Sequence, residues 1–259
     1  MPEGDTVRHA ANQIRAVLDG VVPDRIETPQ RRHAKDRWPE KLAGSAVKAV
    51  DTHGKHLFIR FDNGYAIHSH LGMVGSWRVY DTGEHWKKSA SRAWLVIEAQ
   101  GCEAVQFDGP TLDLLTDLRT RSDQRLAGLG PDVLADAGFD QATFLRRLRA
   151  DDPARGIGDA LLDQRTLAGI GNIWRAEGCW EAGLDPWRPL GQISDEQALA
   201  IVDAIRPRMQ RSAELGPKSI EPRVYGRAGR SCPRCGGRIQ ARGQGEANRR
   251  TYWCPGCQA

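Results

Sequence analysis

The sequence predicts an α+β protein: an N-terminal β-sandwich flanked by helices, then a helical region that closes in a four-cysteine zinc finger. Three observations predict it. Between Val21 and Glu98 the apolar residues come in short runs separated by turn signals, the habit of a sandwich. Beyond Pro131 they recur at three and four, the habit of helices. The last residues hold two Cys-x-x-Cys pairs.

The elements follow in order. From Thr6 to Leu18, Val7, Ala10, Ala11, Ile14, Val17 and Leu18 mark one face of a helix, which Gly20 ends. Strands are predicted at Val47–Val50, His56–Phe61, Tyr65–His68, Trp77–Tyr80, Ala93–Ala99 and Glu103–Phe107, with Asp62-Asn63-Gly64 as a hairpin turn. Lys55 falls in the turn Thr52-His53-Gly54-Lys55. His68 and His70 share a strand face without a third metal ligand, so they are read as polar strand residues able to touch phosphate. Met73 sits in a loop flanked by Gly72 and Gly75. From about Asp117 a polar, arginine-rich link runs to Leu129-Gly130-Pro131. Helices are predicted at Phe139–Arg149, Ile157–Gln164 and Ile193–Leu215. The run Leu167-Ala-Gly-Ile-Gly-Asn172-Ile-Trp174 is a glycine turn entering another helix at Asn172, a place where backbone N–H groups can meet a phosphate.

With 259 residues, 40% of them hydrophobic, the chain has room for one large or two medium cores. No apolar run reaches the roughly 18 residues of a membrane span. Glu3, Asp5, Arg8 and His9 stand where a signal peptide would be apolar, so a cytoplasmic protein without membrane contact is expected. Net charge is only +4, yet residues 201–259 hold twelve Lys or Arg against four acids, a net +8. A basic C-terminal region on a mildly acidic body suggests a polyanion grip at one end.

Cys232-Pro-Arg-Cys235 and Cys254-Pro-Gly-Cys257, with eighteen residues between the pairs, have the spacing of one structural zinc ion held by two knuckles on a hairpin. Four thiolates close the coordination shell and leave no open position for chemistry. The hairpin carries Arg238, Arg242, Arg249 and Arg250.

The other chemical signal is Met1-Pro2-Glu3. Removal of Met1 would expose the secondary amine of Pro2 beside a carboxyl group. An α-amino group titrates near pH 8 and is a nucleophile when unprotonated, and Glu3 could handle the proton. Pro and acidic residues also suit a helix's first turn for structural reasons alone.

Together these motifs resemble the formamidopyrimidine-DNA glycosylase/endonuclease VIII family, in the right order and over essentially the whole chain. The resemblance rests on Pro2-Glu3-Gly4, Gly54-Lys55, the Met73 loop, the run from Leu161 to Ile173, and the cysteine finger. It is greatest to the actinobacterial endonuclease VIII branch, where Pro-Glu-Gly-Asp-Thr openings occur. The resemblance implies a catalytic sandwich over residues 1–118, a linker over 119–137, a helix-two-turn-helix domain over 138–226 and the finger over 227–259, with DNA in the cleft. It implies Pro2 as nucleophile, Glu3 as general acid, and Lys55 on the phosphate next to the lesion. Asn172 and Arg249 would grip backbone phosphate, Glu177 would lie near the active site, and Met73 would fill the gap left by a flipped base.

The implied activity is that of a DNA glycosylase and abasic-site lyase of base excision repair, working through a Schiff base on Pro2 and β,δ-elimination. It needs no redox cofactor. Damaged duplex DNA is the implied partner, with single-stranded or bubble DNA left open, and a monomer is expected. Two departures from the family pattern matter, the first for the role of a second N-terminal carboxylate and the second for substrate. Asp5-Thr6 replaces a second Pro-Glu. Gln106-Phe107-Asp108-Gly109-Pro110 lacks the arginine pair of the branch that removes oxidised guanine. That favours oxidised pyrimidines and leaves Leu71, Met73 and Val74 as wedge candidates. The rival reading is a non-catalytic zinc-ribbon DNA-binding protein.

Overall fold

The computed structural model describes residues 2–33 and 35–258; the expected removal of Met1 lies outside them. The chain forms two compact units. One contains Pro2 and Thr6–Ala127, the other Glu3–Asp5 and Gly128–Ala259.

In the first unit, helix α1 (Gly4–Leu18) is followed by β1 (Arg25–Glu27) and a short helix α2 (Trp38–Leu42). Seven more strands follow: β2 (Val47–His53), β3 (His56–Phe61), β4 (Tyr65–His70), β5 (Ser76–Asp81), β6 (Ala93–Ala99), β7 (Cys102–Phe107) and β8 (Thr111–Thr116). They make two antiparallel four-stranded sheets, ordered β1-β6-β7-β5 and β2-β3-β4-β8. Val50, Leu57, Ile59 and Ile67 of one sheet meet Trp77, Leu95, Ile97 and Ala104 of the other, and Val7, Ala11, Ile14 and Leu18 of α1 join the same core. The sandwich is therefore present, with α1's apolar face sunk in it as its spacing requires.

Several elements differ from expectation. β8 was not foreseen, because Thr-Leu-Asp-Leu-Leu-Thr puts a charge in mid-strand; it exists through pairing with β4, from His70 opposite Thr111 to Tyr65 opposite Thr116. The five-residue α2 is too short to show a period. The arginine-rich link begins as two helices, α3 (Asp117–Ser122) and α4 (Gln124–Ala127). Thr116 caps the first, its hydroxyl accepting from the Arg119 N–H at 3.3 Å.

The second unit holds α5 (Gln141–Arg149), α6 (Ile157–Ala160), α7 (Asn172–Glu181), α8 (Asp195–Leu215) and the hairpin β9 (Gln240–Gln244) with β10 (Arg249–Trp253). Phe144, Leu148, Ile157, Trp174, Ile201 and Ile205 share its main core. α6 is shorter than its apolar run suggested. After it the Gln164 carboxamide accepts from the Gly169 N–H at 3.1 Å and donates to the Ile170 carbonyl at 2.9 Å, which shapes the turn leading into α7. α8 opens on a reciprocal Ser194–Gln197 capping box. No described helix is long and apolar enough to cross a membrane.

Candidate active site

The start of the chain is fixed by the glycine turn. Gly4 donates its N–H to the Gly169 carbonyl at 2.8 Å. The Glu3 carboxylate, 1% exposed, accepts from the backbone N–H groups of Gly171 (2.9 Å), Ile173 (2.8 Å) and Trp174 (3.2 Å). These are donors that an α-helix leaves unsatisfied at its N-terminus, where the dipole favours a negative group. A Cβ on Gly171 would run into the Glu3 carboxyl, so only glycine admits the carboxylate there. Asp5 is also buried and accepts from the Ser212 hydroxyl at 2.5 Å. Residues 3–5 are thus locked against the α7 turn and α8, and Pro2, half-buried, is the residue just before the lock.

Lys55 follows Gly54 in the two-residue turn between β2 and β3; Gly54 has φ +57°, a value a side chain disfavours. Beside it lie three histidines. His56 Nδ1 and His68 Nε2 are 2.8 Å apart, and the rings of His56 and His70 are 4.8 Å apart. His68 is 1% exposed, stacked on Phe58 and 3.8 Å from Asp113, so it is a core group and not the phosphate contact its strand position suggested. Burial pushes His56 down to about 3, with the His68 and His70 charges adding to the effect. Burial and the Lys55 charge lower His70 too.

A stability effect follows with a definite sign. A histidine whose folded value lies below its unfolded 6.5 takes up protons preferentially in the unfolded chain, so stability is full above pH 6.5 and falls as pH drops towards 3. His56 alone should remove about 2 kcal/mol between pH 7 and pH 5. Urea unfolding followed by tryptophan fluorescence should show the midpoint falling over that range, and His56→Gln should flatten the slope. An equal slope in both proteins would contradict this.

In the second unit the Asn172 carboxamide donates to the Arg250 carbonyl at 2.9 Å, and its oxygen accepts from the Arg175 guanidinium. Arg175 is completely buried and also reaches Gln244 at 3.2 Å and the Arg250 carbonyl at 3.3 Å. Burial lowers it to about 10, which leaves it cationic at neutral pH. Gln244 in turn holds Thr251 and the Pro186 carbonyl. The hairpin strand bearing Arg249 is therefore tied to α7 through Arg250's backbone, while the Arg249 side chain is exposed. Sequence reasoning missed Arg175, whose only signal was a charge between Trp174 and Ala176.

Two sequence expectations need correction. Leu71 is 3% exposed and part of the sandwich core, so it cannot enter a duplex without unmaking that core; Met73 and Val74, 69% and 63% exposed, remain. Glu177 is buried and not presented at the surface. It is 1% exposed, bonded to Arg208 at 3.0 Å, and accepts from the N–H groups of Arg223, Val224 and Tyr225 at 2.8, 2.9 and 3.0 Å. Its work is to shape that loop. Tyr225, which sequence reasoning also missed, packs edge-on against Tyr252 at 5.0 Å.

The four cysteine sulfurs of the finger lie within 4.8 Å of one another. Cys232–Cys257 and Cys235–Cys254 are 3.7 and 3.4 Å apart, close to the roughly 3.8 Å edges of a tetrahedron around zinc with bonds of about 2.3 Å. The Trp180 indole and the Arg234 N–H point at the Cys232 sulfur and the Gly237 N–H at that of Cys235, all at 3.4 Å, as donors around metal-bound thiolates do. The donor set fits a metal ion.

Comparison with known proteins agrees with this architecture. The formamidopyrimidine-DNA glycosylase N-terminal domain model matches residues 1–119 and the corresponding H2TH domain model residues 129–223. The chain is 40% identical over 270 residues to a probable endonuclease 8 2 of Streptomyces coelicolor, covering all of this chain and 94% of that protein. It is 39% identical over 264 residues to the DNA-(apurinic or apyrimidinic site) lyase Nei2 of Mycolicibacterium smegmatis, covering 100% and 99%. Among solved structures it resembles the Lactococcus lactis formamidopyrimidine-DNA glycosylase non-covalently bound to abasic-site DNA, at 25% identity over 99% of each chain with a TM-score of 0.83. With both domain models matched in order and full-length relatives at 40% identity, this chain belongs to the formamidopyrimidine-DNA glycosylase/endonuclease VIII family.

Proposed function

We propose that the protein is a bifunctional DNA glycosylase and abasic-site lyase of base excision repair, directed at oxidised pyrimidines and abasic sites. The observation that carries the reading is the Glu3 carboxylate seated in the α7 N-terminus, because it anchors the residue that follows Pro2 in the chain. A nucleotide inside a duplex hides its C1′, so the damaged residue is first everted, at a few kcal/mol that a poorly stacked base reduces. The Pro2 nitrogen attacks C1′ as the bond to the base breaks, and Glu3 handles the proton the departing base requires. The resulting C1′–N adduct loses its N–H proton and breaks its C1′–O4′ bond, with O4′ taking a proton, which opens the sugar to an iminium, necessarily cationic because the amine is secondary. It draws electrons from the C2′–H bond, so the 3′ phosphate leaves by β-elimination and the 5′ phosphate by δ-elimination.

Lys55, Asn172 and Arg249 are assigned to backbone phosphates, and Met73 with Val74 to the gap left by the everted base. Phosphate contacts of this kind set register and salt dependence rather than sequence preference. Cys232, Cys235, Cys254 and Cys257 would hold one zinc ion, which when bound supplies folding energy to the finger and no chemistry. The enzyme acts as a monomer in the cytoplasm on damaged duplex DNA; single-stranded and bubble DNA are candidate substrates. A zinc-ribbon DNA-binding protein without chemistry gains no support from relatives that carry enzyme names.

The lesion class is argued from shape. A ring-saturated pyrimidine is non-planar and stacks badly, so a wedge of two aliphatic side chains suffices to displace it. An 8-oxoguanine opposite cytosine stays planar and paired, and Gln106–Pro110 offers no arginine pair against the opposite strand. Single-turnover rates should be faster on a duplex with 5-hydroxyuracil than on one with 8-oxoguanine opposite cytosine. The reverse order would refute the lesion assignment.

A further inference from the structure

The loop from Leu71 to Gly75 joins β4 to β5 and is closed by the Gly75 N–H donating to the Leu71 carbonyl at 2.9 Å. Leu71 anchors it in the core, and Met73 with Val74 forms its tip. Among the described residues they are the one adjacent pair of exposed large apolar side chains. Such a tip is exposed to water at a hydrophobic cost.

The support comes from Asp108–Pro110, between β7 and β8. A Cβ on Gly72 would strike the Pro110 ring, and one on Gly75 would lie 3.1 Å from the Gly109 Cα, so the two loops touch with no space between. Lys88 joins them: its ammonium donates to Asp108 Oδ2 at 3.1 Å and to the Val74 carbonyl at 3.4 Å. Arg92 holds the same carboxylate from the other side, Nε to Oδ1 at 2.9 Å and Nη2 to Oδ2 at 2.7 Å, while its carbonyl accepts from the Asp108 N–H at 3.2 Å. Asp108 has φ +52°, a left-handed conformation that aspartate tolerates better than most residues. The Arg92 and Lys88 hydrogen bonds hold its carboxyl below the usual carboxylate range. The Lys88 ammonium also lies 5.6 Å from the Phe107 ring centre, which places the charge by packing as well as by pairing.

We propose that Lys88, Asp108 and Arg92 form a latch that presets the Met73–Val74 tip for insertion, which makes Lys88 and Asp108 positioning residues for base eversion. The proposal rests on reading Met73 as the wedge. An apolar tip that must displace a stacked base loses effectiveness if it also has to be ordered at the moment of entry, and a loop held in advance avoids that entropy. Lys88 is suited to the task because its ammonium donors are directed at the Asp108 carboxylate and the Val74 carbonyl. Arg92, which makes two bonds to Asp108, keeps the carboxylate in place for Lys88.

The test is stopped-flow 2-aminopurine fluorescence on a duplex with 5-hydroxyuracil beside the reporter, using the full-length protein. Lys88→Met should slow eversion about tenfold, the scale for losing one charged hydrogen bond. Asp108→Asn should slow it in the same direction. Lys88→Arg, which can reach both acceptors, should recover most of the rate. Affinity for an undamaged duplex should be the same for Lys88→Met and the parent, since the latch acts after binding. Eversion at the parental rate in Lys88→Met, with Met73→Ala slowed, would overturn the latch. Loss of undamaged-duplex affinity in step with eversion would also overturn it, by showing that Lys88 grips phosphate. Eversion unaffected by Met73→Ala would instead overturn the wedge reading beneath it.

Discussion

A protein whose Pro2 nitrogen is acylated, by retained Met1 or by an N-terminal tag, is expected to lose both base excision and strand cleavage while still binding DNA. The reason is chemical. An amide nitrogen has no available lone pair, whereas the free α-amine titrates near pH 8 and is partly unprotonated at neutral pH. The loss should be at least about a thousandfold, as for other enzymes deprived of a covalent nucleophile. Borohydride provides the direct measurement. Hydride delivered to the iminium carbon turns the C=N bond into a stable amine, so the untagged protein should form one covalent adduct with an abasic duplex. Peptide mapping should place that adduct on the N-terminal peptide beginning at Pro2. An adduct on Lys55 with Pro2 free would sink the assignment, and so would full activity in a protein that keeps Met1.

DNA affinity should survive acylation because the proposed phosphate contacts lie elsewhere. Arg249 stands exposed on a strand whose backbone is held through the Arg250 carbonyl by Asn172 and Arg175. Lys55 occupies a turn whose geometry depends on Gly54 rather than on residue 2. Activity and binding are therefore expected to separate in the acylated protein.

What the sequence made legible follows from the range of the interactions involved. α1 was readable because Val7, Ala11, Ile14 and Leu18 face one core at helical spacing. The strands β3, β6 and β7 were readable from their β-branched and aromatic runs. β8 was not, since Asp113 in its middle is accommodated by His68 across the pairing with β4 and by Arg125 from α4. The finger was legible because a metal site imposes spacing on its own ligands.

The candidate site divides along the same line. Pro2 and Glu3 announce chemistry by residue type, but the partners of Glu3 are backbone N–H groups about 170 residues away, which leave no mark in a sequence beyond the glycines that make room. Glu177 was found as a residue and misread as to role, because its burial and its grip on Arg223–Tyr225 depend on how the chain returns after α8. Arg175 and Tyr225 were missed for the same reason. Each acts through contacts distant in sequence, Arg175 on Gln244 and Arg250, Tyr225 on Tyr252.

Glu3 supports the second large prediction, and Gly171 makes it specific. In Glu3→Gln one carboxylate oxygen becomes an NH2 group. Since Oε1 accepts from Ile173 and Oε2 from Gly171 and Trp174, either orientation of the amide sets a donor against a donor. Excision of the base should fall by at least about a hundredfold, the scale for a positioned acid–base group. The start of α7 should lose about 1–3 kcal/mol, the scale for an unsatisfied buried donor. Abasic sites should be less affected, because no base remains to be expelled, so adduct formation through Pro2 should persist. Gly171→Ala carries no chemical group, yet its Cβ would take the space of the Glu3 carboxyl and push it from the N–H groups. It should therefore reproduce the Glu3→Gln pattern: base excision lost, abasic-site trapping retained, α7 destabilised. Excision at the parental rate in Gly171→Ala would show that the seat in the α7 N-terminus is not what makes Glu3 effective.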